Sequence, residues 1–308
     1  MTVTPTSTPA GPRPVSGDSW GRRAGRALLR PFRPVDEVSE AITVARGLQR
    51  SSVTGRRIIV EHLDGTESAA VAALTARALA HYRWDRVLAV GASPAEPTLA
   101  QRLGTDAPGT LGSGLDTTSF EAAEKSIGRA GNRLWTVSTD PEDGDAHLRG
   151  LLPLSRFFGV TLVEGPREAP FVTAARAEAH ARVLVARATR QGARAVGRVL
   201  DEADGSGASG AEGRDGELAR TVVLLCEEER AEDPGFDADR TARIISESGA
   251  GILRLAHDRH VAQGAAVRTR RIREATQSTV LEAAAQALAR AIDGRTRQDG
   301  EGRQEHAL

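Results

Sequence analysis

Two short stretches hold the residues best suited to chemistry. The first is the loop Leu63–Ala70, LDGTESAA. Its Gly65, Thr66 and Ser68 lie between a β-branched run, Ile58–Val60, and an Ala/Leu-rich segment of helical spacing over 69–80. A glycine and hydroxyls between a strand and a helix N-terminus are the residue types that hold phosphate. The second stretch is Glu164-Gly165-Pro166, which closes the apolar run 159–163 and offers a carboxylate at a strand end. The loop lacks a cation. Lys125 is the only lysine in the 308 residues, and no arginine lies between Arg57 and Arg77. Asp64 and Glu67 place two carboxylates there instead. At 4–6 Å from a triphosphate each would cost about 1 kcal/mol or more. A helix dipole, worth ~0.3–1 kcal/mol, does not offset both.

Other candidates are weaker. His257 and His260 flank Asp258 in HDRH, but no third ligand converges in sequence, so no metal is expected and the segment reads as a surface turn. Cys226 ends an apolar strand with no neighbouring histidine and reads as a buried, inert thiol. Glu227, Glu228 and Glu229 read as a solvated loop, and Ser68 and Ser93 lack a G-x-S-x-G context. Arg268, Arg270, Arg271 and Arg273 cluster where the last helix is expected to open. They read as a solvated helix face or as a nonspecific DNA contact.

The elements that position these residues follow from hydrophobic periodicity. Residues 1–34 are a disordered Pro/Thr-rich leader ending in the basic stretch WGRRAGRALLRPFR, a solvated segment or a partner contact. Residues 35–49 are helical. Strands are expected near 58–60, 87–90, 134–137, 159–163, 183–186, 222–226 and 252–255, and helices near 98–103, 119–127, 146–157, 171–181, 191–202, 237–247 and 268–292. Seven buried strands alternating with helices predict an α/β fold, a doubly wound and mostly parallel sheet with helices on both faces. One domain spans 35–293, with a flexible insertion at 204–216 and a polar, frayed tail at 294–308. The hydrophobic fraction, 40%, supports a large core, and with 3% aromatics that core must be Ala, Val, Leu and Ile. Lys+Arg and Asp+Glu both number 41, so net charge gives no argument for nucleic acid or an anionic membrane. There is no apolar run of membrane-spanning length, no secretory h-region and no disulfide framework, so a cytoplasmic bacterial protein is expected.

The order of elements and several phrases resemble the MinD/ParA group of SIMIBI-class, deviant Walker A ATPases, in the actinobacterial version with a Pro-rich N-terminal extension, over roughly 56–292. RRIIV, an Ala-rich helix and DRVLAV are similar to that family's first βαβ unit. GASPAEPTLAQRLG resembles its D-A-x-P…TLxxRLG stretch, with Pro94, Thr98, Leu99, Arg102, Leu103 and Gly104 in place. FFGVTLVEGP resembles the strand ending in D-x-G-P, ARVLVARATRQGARAV a later strand–helix, and LAHDRHVAQGAAV with REATQSTVLEAAAQALA the C-terminal segment.

The resemblance implies a phosphate loop K-G-G-x-G-K-[ST]-[ST], which this chain lacks. In the ungapped placement only Gly65 matches, Ser68 takes the lysine's place, and Ala69 and Ala70 take the hydroxyls'. The water-orienting aspartate is Gly91, and the Walker-B-type aspartate is Glu164, a remnant able to hold Mg²⁺ through water. The degenerate loop Gly65, Thr66 and Ser68, with Pro94, Gly165 and Pro166, is what survives. The expectation is a regulatory module with no catalytic residues, no metal and no resident cofactor. It would dock to protein partners, to itself or to an active homologue, in positioning, partitioning or type VII secretion. Two alternatives stay open: an atypical ATP/Mg switch using Glu164, and a scaffold for DNA or a secretion complex. The tail lacks the apolar stripe of a membrane-targeting helix.

Overall fold

The computed structural model describes residues 15–18, 35–52, 54–63, 68–105, 109–112, 114–205, 216–229, 233 and 235–305. Most of the leader, the insertion at 206–215 and the last three residues lie outside the described residues.

Helix α1 (Val35–Leu48) precedes strand β1 (Arg56–His62), helix α2 (Ser68–Tyr82) and strand β2 (Val87–Gly91). The β-branched run makes β1 a buried central strand, and the Ala-rich α2 lies close against it. The short α3 (Leu99–Leu103) starts on a Thr98–Gln101 capping box and stops at Gly104, whose φ of 71° is a left-handed cap that glycine adopts without strain. Next come α4 (Phe120–Glu124), β3 (Gly128–Arg129), β4 (Leu134–Ser138), α5 (Leu152–Ser155), β5 (Val160–Pro166), α6 (Pro170–Ala177), β6 (Ala181–Arg187) and α7 (Arg190–Gly205). The chain closes with β7 (Thr221–Cys226), α8 (Ala238–Glu247), β8 (Gly251–Leu255), α9 (Arg259–Ala262) and α10 (Glu274–Glu305).

The sheet has eight strands in the order β3-β4-β2-β5-β1-β6-β7-β8, all parallel except the β3–β4 pair. The doubly wound reading holds, with one strand more than the seven expected. The extra strand, β3, is two residues long and too short for a periodicity signal. The helix expected over 146–157 is a π-turn, His147–Leu151, running into α5, because Pro153 has no N–H to continue the ladder. The last helix opens at Glu274 rather than 268 and its backbone runs to Glu305, beyond the expected 292.

Three apolar clusters sandwich the sheet. On one face α2, α3, α10 and Leu48 of α1 cover Ile58, Val60, Leu162 and Val183. On the other, α4, α5 and α6 cover Ile59, Val90 and Val163, while α7 and α8 cover Leu184 and Leu225. The strand alternation thus fixes which side chains meet which helix. Ile59 and Glu61 of β1 face α6, whereas Val60 and His62 face α2.

The Leu162 side chain is fully buried at the centre of β5. Truncation to alanine removes about three methylene-sized groups and leaves a cavity. Leu162→Ala is expected to lower the unfolding free energy by roughly 2–5 kcal/mol, read as an earlier midpoint in urea denaturation.

Candidate functional site

The carboxyl ends of β2, β5, β1 and β6 form the edge where parallel α/β sheets bind ligands. Register aligns Gly91 with Glu164, and His62 with both Pro166 and Val185. Ser68, the first residue of α2, donates its hydroxyl hydrogen to Glu164 Oε1. His62 Nδ1 lies 2.9 Å from the Ser68 Oγ. With the Ser68 proton directed to the carboxylate, the imidazole N–H donates to Ser68. Ser68 and Glu164 are both buried, so the hydroxyl is a link in an internal chain, out of reach of a substrate.

Gly165 is required by packing. A Cβ there would meet Val172 of α6 at 2.9 Å and Ala92 at 3.1 Å. Gly91 is also closed in, because a Cβ would meet that of Leu99 at 3.1 Å. Pro94 is exposed in the loop after β2, away from Glu164 in the sequence register. Gly65 and Thr66, with Asp64 and Glu67, lie outside the described residues.

The dominant charge at this edge is one the sequence reading missed. Glu61, on the α6-facing side of β1, is fully buried. Arg176 Nε donates to its Oε1, while Arg182 and Arg167 reach its Oε2 at 3.2 and 3.6 Å. Arg182 also bonds Glu217, and Arg167 bonds Glu202 at 2.8 Å. A buried carboxylate needs such partners, since its charge cannot otherwise leave water. The signal was present: an acid directly after Ile58-Ile59-Val60 sits inside a central strand, where acids occur only when paired.

The remaining candidates are placed as follows. The HDRH segment is not a surface turn. Asp258 caps α9, accepting from His260 N at 2.8 Å, and its other oxygen accepts from Arg273 N at 2.6 Å. His260 is fully buried, with Nδ1 2.9 Å from the Val15 carbonyl and Nε2 accepting from Arg268 N at 2.9 Å. Four leader residues therefore dock here, with Gly17 N donating to the Arg271 carbonyl at 2.7 Å. At these four residues the leader is seated on the domain. Cys226 is half-buried rather than buried. Lys125 is exposed at the end of α4. The arginine cluster does not form one helix face. Arg268 and Arg270 are exposed beside or within a 3₁₀ turn, whereas Arg273 donates to the His257 carbonyl at 2.8 Å. Among the described residues no group of three His, Cys, Asp or Glu is placed to hold a metal, and no helix is long and apolar enough to cross a membrane.

No protein-family model matches the chain, and no curated protein matches it. Solved structures do. A ParA family ATPase from Chlorobium tepidum is 16% identical, with 75% of this chain and 99% of that one covered at a TM-score of 0.58. An ATP complex of a Cyanothece McdA variant is 15% identical, with 77% and 97% covered at 0.54. The cell division ATPase MinD of Pyrococcus furiosus is 18% identical, with 78% and 99% covered at 0.53.

Two outcomes follow from the site. Glu61→Ala leaves three arginines facing one another in a buried place, and is expected to cost roughly 3–5 kcal/mol in urea unfolding. The second concerns pH. His147 and His260 are both held below the usual histidine range, chiefly because burial disfavours the imidazolium; at His147 the Arg57 charge adds to this and Glu178 opposes it. Neither ring nitrogen of His147 has a hydrogen-bond partner among the described residues. The unfolded chain takes up protons near pH 6.5, whereas the folded chain resists. Stability should be full above about pH 6.5 and fall as pH drops below it, measured as the urea midpoint; His147→Leu should flatten that dependence. The fold, reached through its sheet order and through these solved structures, is that of the ParA and MinD ATPases.

Proposed function

We propose that the chain is a ParA/MinD-fold protein with a degenerate nucleotide site, acting as a regulatory module that docks to protein partners, to itself or to an active homologue. The processes that suit it are positioning, partitioning or type VII secretion. The carrying observation is the internal wiring of the carboxyl edge. Ser68 donates to Glu164 Oε1, and Arg167, Arg176 and Arg182 are held by Glu61. Three arginines, from the β5–α6 turn, α6 and β6, thus answer an internal acid.

The residues present do not fit ATP with Mg²⁺. In the ungapped placement Ser68 takes the lysine's place and Ala69 and Ala70 the hydroxyls', so the loop sequence supplies neither the cation nor the hydroxyl pair that the nucleotide needs. An aspartate at Gly91 would press on Leu99, so the place of the water-orienting carboxylate has been filled by packing. The exposed Lys125 sits at the end of α4, far along the chain from the loop.

One observation favours the second reading, an atypical ATP-dependent switch. A hydroxyl and a carboxylate meeting at a strand end are a pair that can hold Mg²⁺. The DNA scaffold is less well supported, because the arginine cluster is split between exposed and engaged side chains. Phosphate release from ATP by the purified chain separates the first two readings. The degenerate site predicts turnover at background level and identical in Glu164→Ala. Turnover that is measurable in the native chain and lost in Glu164→Ala would establish the switch.

A further inference from the structure

The edge opposite Glu164 carries a second feature that the nucleotide question does not touch. A hollow of about 470 Å³ opens between the end of α2, the turn before β4 and the start of α10. Its position at the amino ends of β2 and β4 follows from the register of Val87 with Leu134. The floor is apolar, formed by Leu74, Ala78, Leu134, Ile272, Val280 and Leu281. The rim carries Arg77, His81, Tyr82 and Arg133, and no acidic residue lines it.

The aromatic residues make this spot unusual. Tyr82 is the only tyrosine in a chain with 3% aromatics. Trp84, two residues on, is 89% exposed, with the Arg133 guanidinium 4.9 Å from its ring centroid. Trp, Tyr and Arg are the residue types that concentrate binding energy at interfaces. The exposed indole extends the apolar surface beside the hollow through Arg133, which both lines the hollow and stacks on the ring. The cations add a sign. Arg77 donates to the Leu103 carbonyl at 2.8 Å, and its Nε is buried with no hydrogen-bond partner among the described residues. Burial pushes the Arg77 pKa down, which marks a partly desolvated charge that a carboxylate would relieve.

We propose that this hollow docks an extended segment of a protein partner in which apolar side chains are flanked by carboxylates. Charge decides the occupant. The chain's own leader has apolar residues, but between Trp20 and Arg33 it carries five arginines and no acid, so it repels Arg77 and Arg133. A small carboxylate would fill the hollow and leave Trp84 uncovered, whereas a peptide segment covers both. The site lies across the sheet from Glu164, so docking requires no nucleotide.

The test is a peptide array read with the full-length chain. Nonapeptides carry every pair of apolar residues at the centre, flanked by Asp/Glu in one set and by Lys/Arg in the other. Hits are measured in solution by fluorescence anisotropy. The acidic set is expected to bind and the basic set not. Trp84→Ala and Arg133→Glu should each weaken the best acidic peptide roughly tenfold or more, while leaving circular dichroism and urea midpoint unchanged for the exposed Trp84. Absence of any acidic binder, equal binding by the two variants, or preference for the basic set would overturn the proposal, and the last would assign the hollow to the basic leader.

Discussion

Two buried carboxylates on adjacent central strands constrain everything at the carboxyl edge of this sheet. Glu61 of β1 and Glu164 of β5 are both fully buried, on opposite faces. Each must be matched within the fold, because an isolated buried carboxylate costs far more than the stability of a domain. Glu61 is matched by three arginines from β5–α6, α6 and β6, and these tie the centre of the sheet to the helices on that face. Glu164 is matched by Ser68, which fixes where α2 begins. Such a network contributes little net stability over an apolar core, yet removing one member is expensive. Its effect is therefore on specificity: it holds β1, β5 and α2 in one arrangement.

That arrangement has the β1–α2–β2 order of the ParA and MinD fold. In an ATPase of this fold the loop before α2 is expected to present cations outward. Here the loop sequence carries Asp64 and Glu67, and Arg167, Arg176 and Arg182 reach inward to Glu61. Gly165 and Gly91 survive as glycines for reasons of packing against Val172 and Leu99. On the proposed reading the protein works through surfaces, and the hollow at the opposite edge is the surface proposed for it.

Much of the fold was legible because its signals are local and strong. Short β-branched runs at regular intervals gave seven of the eight strands, and the helix expected near 98–103 is α3. The helix expected over 146–157 is present to Ser155 with a π-turn ahead of Pro153 that periodicity does not show, and the two residues of β3 carry no pattern. The site was legible in part. Ser68, Glu164 and Gly165 were found through glycines, hydroxyls and a strand-end acid, which are sequence-local features. Glu61 and its arginines were not, since their meaning depends on pairing between residues more than 100 positions apart. The burial of His260 was missed for the same reason in part, since Val15 lies 245 positions away, whereas Arg268 and Arg273 close on His260 and Asp258 through a local turn that periodicity does not report.

The central claim is that the loop between β1 and α2, with no lysine or arginine from 58 to 76, has no cation of its own to hold a triphosphate. Titration of Mg²⁺·ATP into the purified full-length chain by isothermal calorimetry addresses it directly. The account predicts no saturable heat up to millimolar nucleotide, with or without the metal. A saturating, Mg²⁺-dependent isotherm in the micromolar range would contradict it.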